Sequence, residues 1–184
     1  MKMWRYFIWL IAVFGLIIIL IILLTPSGKK LPTARSLYSY ANTGAVARLT
    51  IDGPINSDEL HQSVQINVDQ YSVTYDQYQG YQGHVIKQLT FPNNEPAYNA
   101  FLHALYHSGF TEGNTSSSLQ DEEGYCALGD RFIYEFIDGS TEVERFWSTS
   151  CNNTKTFKGD SGLTIDLFRS QVPNYSEITN NLNL

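Results

Sequence analysis

Nineteen consecutive residues, Tyr6 to Leu24 (YFIWLIAVFGLIIILIILL), carry no charge and no strongly polar side chain. As a helix this run rises roughly 28 Å, about the hydrocarbon thickness of a bilayer. Trp4, Tyr6 and Trp9 cluster at its start, where indole and phenol rings favour the membrane interface. A cleaved signal peptide has an apolar core of only about 7–15 residues and ends at a small-x-small site. The core here is longer, Thr25-Pro26-Ser27 is a poor site, and no lipobox cysteine follows. The run therefore reads as an uncleaved transmembrane anchor. Lys2 and Arg5 precede it and Lys29 and Lys30 follow it, so charge asymmetry leaves its orientation undecided.

Beyond the anchor the balance turns acidic. Residues 31–184 hold 8 of the 12 Lys and Arg and all 18 Asp and Glu, a net charge of −10. Such a domain repels phosphate backbones and anionic lipid surfaces, which argues against a nucleic-acid partner.

The cysteines decide the compartment. Cys126 and Cys151 flank a β-rich stretch with Asp138-Gly139 near its middle. Asp-Gly between two such runs signals a two-residue hairpin turn. With these two at the centre of the turn, Ile137 faces Ser140 and Tyr134 faces Val143. Further out, Cys126 faces Cys151 at a non-hydrogen-bonded position, where Cα atoms lie about 4.5 Å apart. The register has one flaw, since Glu135 would oppose Glu142. A bulge near Gly129 or a longer loop at Gly139 would shift it and bring the cysteines together by another path. The spacing does not suit a Cys-x-x-Cys redox pair. No histidine in the stretch completes a zinc site. A structural disulfide follows, and with it a domain outside the cytoplasm.

Residues 26–47 are polar and broken by Pro26, Gly28, Pro32 and Gly44, the composition of a flexible tether. Four strand candidates follow, RLTIDGPI, HQSVQINVDQ, YSVTYDQY and HVIKQLTF, the second alternating as Val64, Ile66, Val68. The period then changes. In NNEPAYNAFLHALYHSGF, Tyr98, Phe101, Leu102 and Leu105 share a helical face, Asn93 or Asn94 can cap it, and Gly109 suits its end. TEGNTSSSLQDEEG reads as a polar loop before the cysteine hairpin. GLTIDLFRSQV closes the domain as a helix or a strand. The expected architecture is α+β, a mostly antiparallel sheet of about five strands packed with one or two helices. The chain divides into an anchor (1–25), a tether (26–47), an extracytoplasmic domain (48–172) and a polar tail (173–184) expected to fray.

Three constellations could carry chemistry. GDSG at 159–162 resembles the nucleophile segment of chymotrypsin-like serine proteases over four residues. That family has a further glycine where this chain has Leu163, and the domain is too short for its two barrels. Ser161 with His61 or His84 as base would make a small envelope hydrolase, the alternative to a binding role. His103 and His107 lie four apart on one helical face but lack the glutamate of the His-Glu-x-x-His zinc enzymes, so no metal and no cofactor is expected. Tyr71, Tyr75, Tyr78 and Tyr81 form the richest recognition candidate. A tyrosine joins a rigid ring to a polar tip and can stack on a sugar or grip a peptide.

An apolar N-terminal helix, a sheet and a late disulfide loop resemble the minor type IV pilins. However, the glycine before and the glutamate after the start of the pilin helix are absent. ARLTIDGPI, GYQG, FPNNEPAYNAFLHAL and RFWSTSC give residues 45–170 a resemblance to uncharacterised small single-pass bacterial envelope proteins. That resemblance implies an anchored, outward-facing domain and brings no activity with it. The expected role is therefore a non-enzymatic envelope protein. Its partners are the membrane, through one helix, and an envelope protein or a glycan.

Overall fold

The computed structural model describes residues 36–151 and 155–182. The proposed anchor and residues 26–35 of the tether lie outside the described residues. Among the described residues no helix is long and apolar enough to cross a membrane.

Six antiparallel strands form one sheet in the order β4-β3-β2-β1-β5-β6. β1 (Val46–Asp52), β2 (Gln62–Val68), β3 (Ser72–Gln79) and β4 (His84–Pro92) make a meander. The chain then crosses back through helix α1 (Glu95–His107) to lay β5 (Arg131–Asp138) on the free edge of β1, and β6 (Thr141–Thr149) follows. Helix α2 (Ser161–Ser170) and the single turn α3 (Tyr175–Ile178) end the chain. The class is α+β as expected, with six strands instead of about five.

Alternation decides which face is covered. One rung of the sheet reads Leu89, Tyr75, Ile66, Leu49, Tyr134, Phe146 from edge to edge. All six point to the side where α1 and α2 pack. There α1 buries Tyr98, Phe101, Leu102 and Leu105, and α2 buries Ile165 and Phe168. Phe101 meets Phe168 edge-on with ring centroids 5.2 Å apart. Asn94 caps α1 by accepting from the Ala97 amide at 3.0 Å, and Pro96 fills the first turn. At the other end the Gly109 and Phe110 amides donate back to the Tyr106 and Leu105 carbonyls, both at 3.1 Å, a Schellman closure.

The adjacent rung on the second face is polar: Thr74, Asn67, Arg48, Glu135, Arg145. Arg48 donates to Asn67 at 2.8 Å and lies 3.6 Å from Glu135. Near β5 and β6 the polar loop after α1 folds over this face. Trp147 is fully buried there and donates its indole N–H to the Leu119 carbonyl at 2.7 Å.

The β5–β6 register differs from the expected one. Asp138 pairs with Thr141, so the two-residue turn is Gly139-Ser140, and positive φ (61°) falls on glycine at its first position. A bulge between Phe136 and Ile137 then shifts the ladder by one more residue. Glu135 consequently faces Arg145, and the like-charge pairing with Glu142 does not arise. The cysteines do bond, with Cα atoms 5.5 Å apart. They meet beyond the ladder, Cys126 in a turn at φ 53° and Cys151 just past β6.

Two boundaries also move. Residues 36–47 belong to the packed unit: Leu37, Ala41 and Ala45 are buried, and Tyr38 stacks on His103 at 4.2 Å. The described part of the polar tail is held as well. Tyr175, Ile178 and Leu182 pack against the core, and Lys87 donates to the Ile178 carbonyl at 3.2 Å. Small apolar residues among polar neighbours hide these contacts from a reading by composition.

Candidate functional site

The strands bring several polar side chains to one end of the sheet. Asp52 ends β1 and Arg131 opens β5 directly opposite. Arg131 is 4% exposed. Its Nε donates to Asp52 Oδ2 at 2.9 Å, and its Nη2 donates to the same oxygen and to the Gly53 carbonyl. Its Nη1 is buried and has no partner among the described residues. Buried His61 places Nε2 3.0 Å from the other carboxylate oxygen of Asp52 and Nδ1 3.3 Å from the Pro54 carbonyl. One carboxylate thus holds an arginine on one oxygen and an imidazole on the other.

Tyr81 stacks on His61 with ring centroids 4.1 Å apart and planes 10° from parallel. It comes from the hairpin loop between β3 and β4. Its hydroxyl donates to the Asn56 carbonyl at 2.9 Å and accepts from the Asn56 amide at 3.1 Å. Its own amide donates to Asp58 at 2.7 Å. Two loops distant in sequence are locked into one rim, yet Tyr81 remains 53% exposed.

The opposite wall is the segment Glu122–Gly124, and the cleft between holds about 390 Å³. Arg145 grips both oxygens of Glu122 through Nη2, at 2.8 and 2.7 Å. The disulfide fastens the chain just after this wall. The Ile55 amide donates to Ala127 at 2.8 Å, and Ser150 Oγ accepts from the Asp130 amide at 2.9 Å. Beside it, burial raises the Asp130 carboxyl above the ordinary range, Asp52 adds to the rise, and Arg169 and Arg131 oppose it.

The four tyrosines expected to form a binding surface do not form one. Tyr71 is 72% exposed but sits at the β2–β3 turn, at the other end of the sheet. Tyr75 is fully buried on the helix-covered face, where burial raises its pKa first and Tyr175 second. Tyr78 is half-buried on the second face opposite Ser63. Of the four, Tyr81 alone borders the cleft.

Ser161 is part of the architecture. Its hydroxyl lies 2.6 Å from the Tyr134 hydroxyl and 2.9 Å from Ser148 Oγ, which themselves meet at 2.9 Å. Among the described residues no histidine bonds the Ser161 hydroxyl. The rest of GDSG joins α2 to the end of α1. Asp160 caps α2 through the Leu163 amide at 2.9 Å. A Cβ on Gly159 would stand 2.5–2.6 Å from the Gly109 and Ser108 carbonyl oxygens, so only glycine fits there. His84 lies exposed at the start of β4. His103 is engaged with Tyr38 and His107 with Tyr106. Among the described residues no group of three or more His, Cys, Asp and Glu is placed to hold a metal.

Sequence reasoning missed Asp52 and Arg131 and considered His61 only as a base for Ser161. An arginine opening the apolar run RFIYEF was the available signal, but its partner depends on a long-range strand pairing. No known protein family, curated protein or solved structure matches the chain.

Proposed function

We propose that this chain is a membrane-anchored binding protein. Residues 6–24 hold it in the bilayer, and the domain from Ser36 onward works outside the cytoplasm. The cleft at Asp52, Tyr81 and Arg131 receives another component of the envelope. The observation that carries the reading is Arg131. A buried guanidinium whose Nη1 amino group finds no partner among the described residues is costly to keep, and Arg131 lines a cleft of the size that small ligands occupy. The disulfide supports the compartment, since such bonds persist where the surroundings oxidise.

Two experiments test this. In intact cells, a membrane-impermeant maleimide should label Cys126 and Cys151 only after mild reduction. Labelling only after lysis places the domain in the cytoplasm and ends the reading. A photo-crosslinking residue at Ile55, which borders the cleft and is half exposed, should capture an envelope component that the same residue at His84 does not. No difference between the two positions removes the cleft as the binding site. Among the described residues no histidine bonds Ser161, and no specific observation favours a hydrolase or a pilin-like subunit.

A further inference from the structure

We infer that the cleft takes an uncharged, hydroxyl-rich ligand, a glycan, whose ring lies on Tyr81 while its hydroxyls meet Arg131 and the neighbouring carboxylates. The inference rests on the cleft being a binding site and adds the class of ligand.

Hydrogen-bonding polarity carries the first step. The buried, unpartnered Nη1 of Arg131 carries two N–H donors and can only be met by an acceptor. The other charged groups of the cleft, Asp52, Glu122 and Glu123, are carboxylates that only accept when ionised. A ligand serving both must donate and accept within a short span. A hydroxyl does both by rotating about its C–O bond. An ammonium has no lone pair to offer Nη1 and is repelled by the guanidinium.

Charge carries the second step. Glu122 is neutralised by Arg145 and Asp52 by Arg131. That leaves the carboxylates of Glu123 in the cleft lining and Asp58 in the rim without an ion pair among the described residues, in a domain already net negative. An anionic ligand meets like charge on approach and gains only the donors of one Nη1 inside, so the field favours a neutral one.

Shape carries the third step. Tyr81 is supported on one face by His61, and its hydroxyl is tied at both polar functions to Asn56. Its rotamer is set before anything binds, which lowers the entropy lost on stacking. The electron-rich face of a phenol ring attracts the slightly positive C–H face of a pyranose, by the same quadrupole that orders aromatic pairs. Ile55 is 45% exposed beside it and extends the apolar strip. A peptide backbone also donates and accepts, but its polarity is fixed and it presents no such ring face.

The test uses the full chain in micelles of a detergent without a sugar headgroup. It is applied to an array of neutral oligosaccharides, anionic oligosaccharides and blocked neutral peptides. Hits are titrated by calorimetry. Neutral oligosaccharides should bind at micromolar to millimolar concentration, and the other two classes should not. Tyr81→Ala and Arg131→Lys should each weaken binding about tenfold, the loss of one stacking contact or one charge-assisted hydrogen bond. Ile55→Trp, which fills the cleft from an exposed position, should abolish it and leaves the buried ion pair intact if Arg131→Lys fails to fold. Glycan binding unchanged in Tyr81→Ala and Ile55→Trp overturns the assignment to this cleft. Preference for anionic glycans or for peptides overturns the ligand class. No glycan binding, together with a persistent crosslink from Ile55 in cells, overturns the glycan and keeps the binding cleft. Loss of both overturns both.

Discussion

Arg131 stands opposite Asp52 across the β1–β5 ladder and donates to a single oxygen of its carboxylate through both Nε and Nη2. The other oxygen is left to His61. Removing Asp52 from this partly buried pair strands the buried guanidinium. Asp52→Ala should therefore destabilise the domain by about 3–5 kcal/mol. Replacing both by apolar residues, as in Asp52→Val with Arg131→Met, should cost clearly less than Asp52→Ala alone. Urea denaturation of the two proteins measures the difference. Equal losses would mean that the pair is not desolvated as the geometry implies.

The disulfide ties the turn after Glu122–Gly124 to the end of β6. Closing a loop of this length stabilises a fold by roughly 3 kcal/mol in the chain-entropy model. Cys126→Ser with Cys151→Ser should lose about that much. Amide exchange should quicken first in residues 122–130, the cleft wall, and last in β1 and β2 at the centre of the sheet. Uniform acceleration across the sheet would show that the bond stabilises without positioning the wall.

GDSG separates an architectural from a catalytic reading. Gly159→Ala forces a Cβ against two backbone carbonyls that cannot move aside, so it should lower stability by about 1–3 kcal/mol. Ser161→Ala leaves Tyr134 and Ser148 bonded to each other and should cost only about 1 kcal/mol. Thermal unfolding of both variants checks the order. A Ser161→Ala protein that folds normally but loses the cellular phenotype would reopen the hydrolase reading.

Glu144 supplies a pH test. Burial alone raises its carboxyl above the ordinary value of 4.5, so the fold disfavours the ionised form. Its contribution to stability is fully present below the unfolded value and is lost as pH rises through the higher folded one. Glu144→Gln should thus raise the melting temperature at neutral pH and leave it nearly unchanged well below pH 4.5. A variant less stable than the parent at neutral pH would contradict this sign. Asp130 is shifted the same way, first by burial, and Asp130→Asn should show the same pattern.

Much of the fold was legible in residue order. Val64, Ile66 and Val68 alternate as they must on a half-covered strand, and all three are buried. Asn94, Pro96 and Gly109 mark the ends of α1 within a residue, because capping is local chemistry. The cleft was hardly legible. Tyr75 and Tyr81 look alike in YSVTYDQYQGYQG. One lies on the core side of β3, and the other is lifted by a turn onto the stacked ring of His61.

The sequence by itself determined the strands, helix α1, the class and the pairing of the only two cysteines, because periodicity, capping and cysteine count act over a few residues or leave one choice. Tertiary structure alone decided the register and the site. A one-residue bulge at Phe136/Ile137 turns Glu135 toward Arg145, and a strand carried back across the sheet sets Arg131, 79 residues away in the chain, against Asp52. Both outcomes depend on packing one face of the sheet against α1 and α2. That packing is a sum over contacts remote in sequence, and no local pattern encodes it.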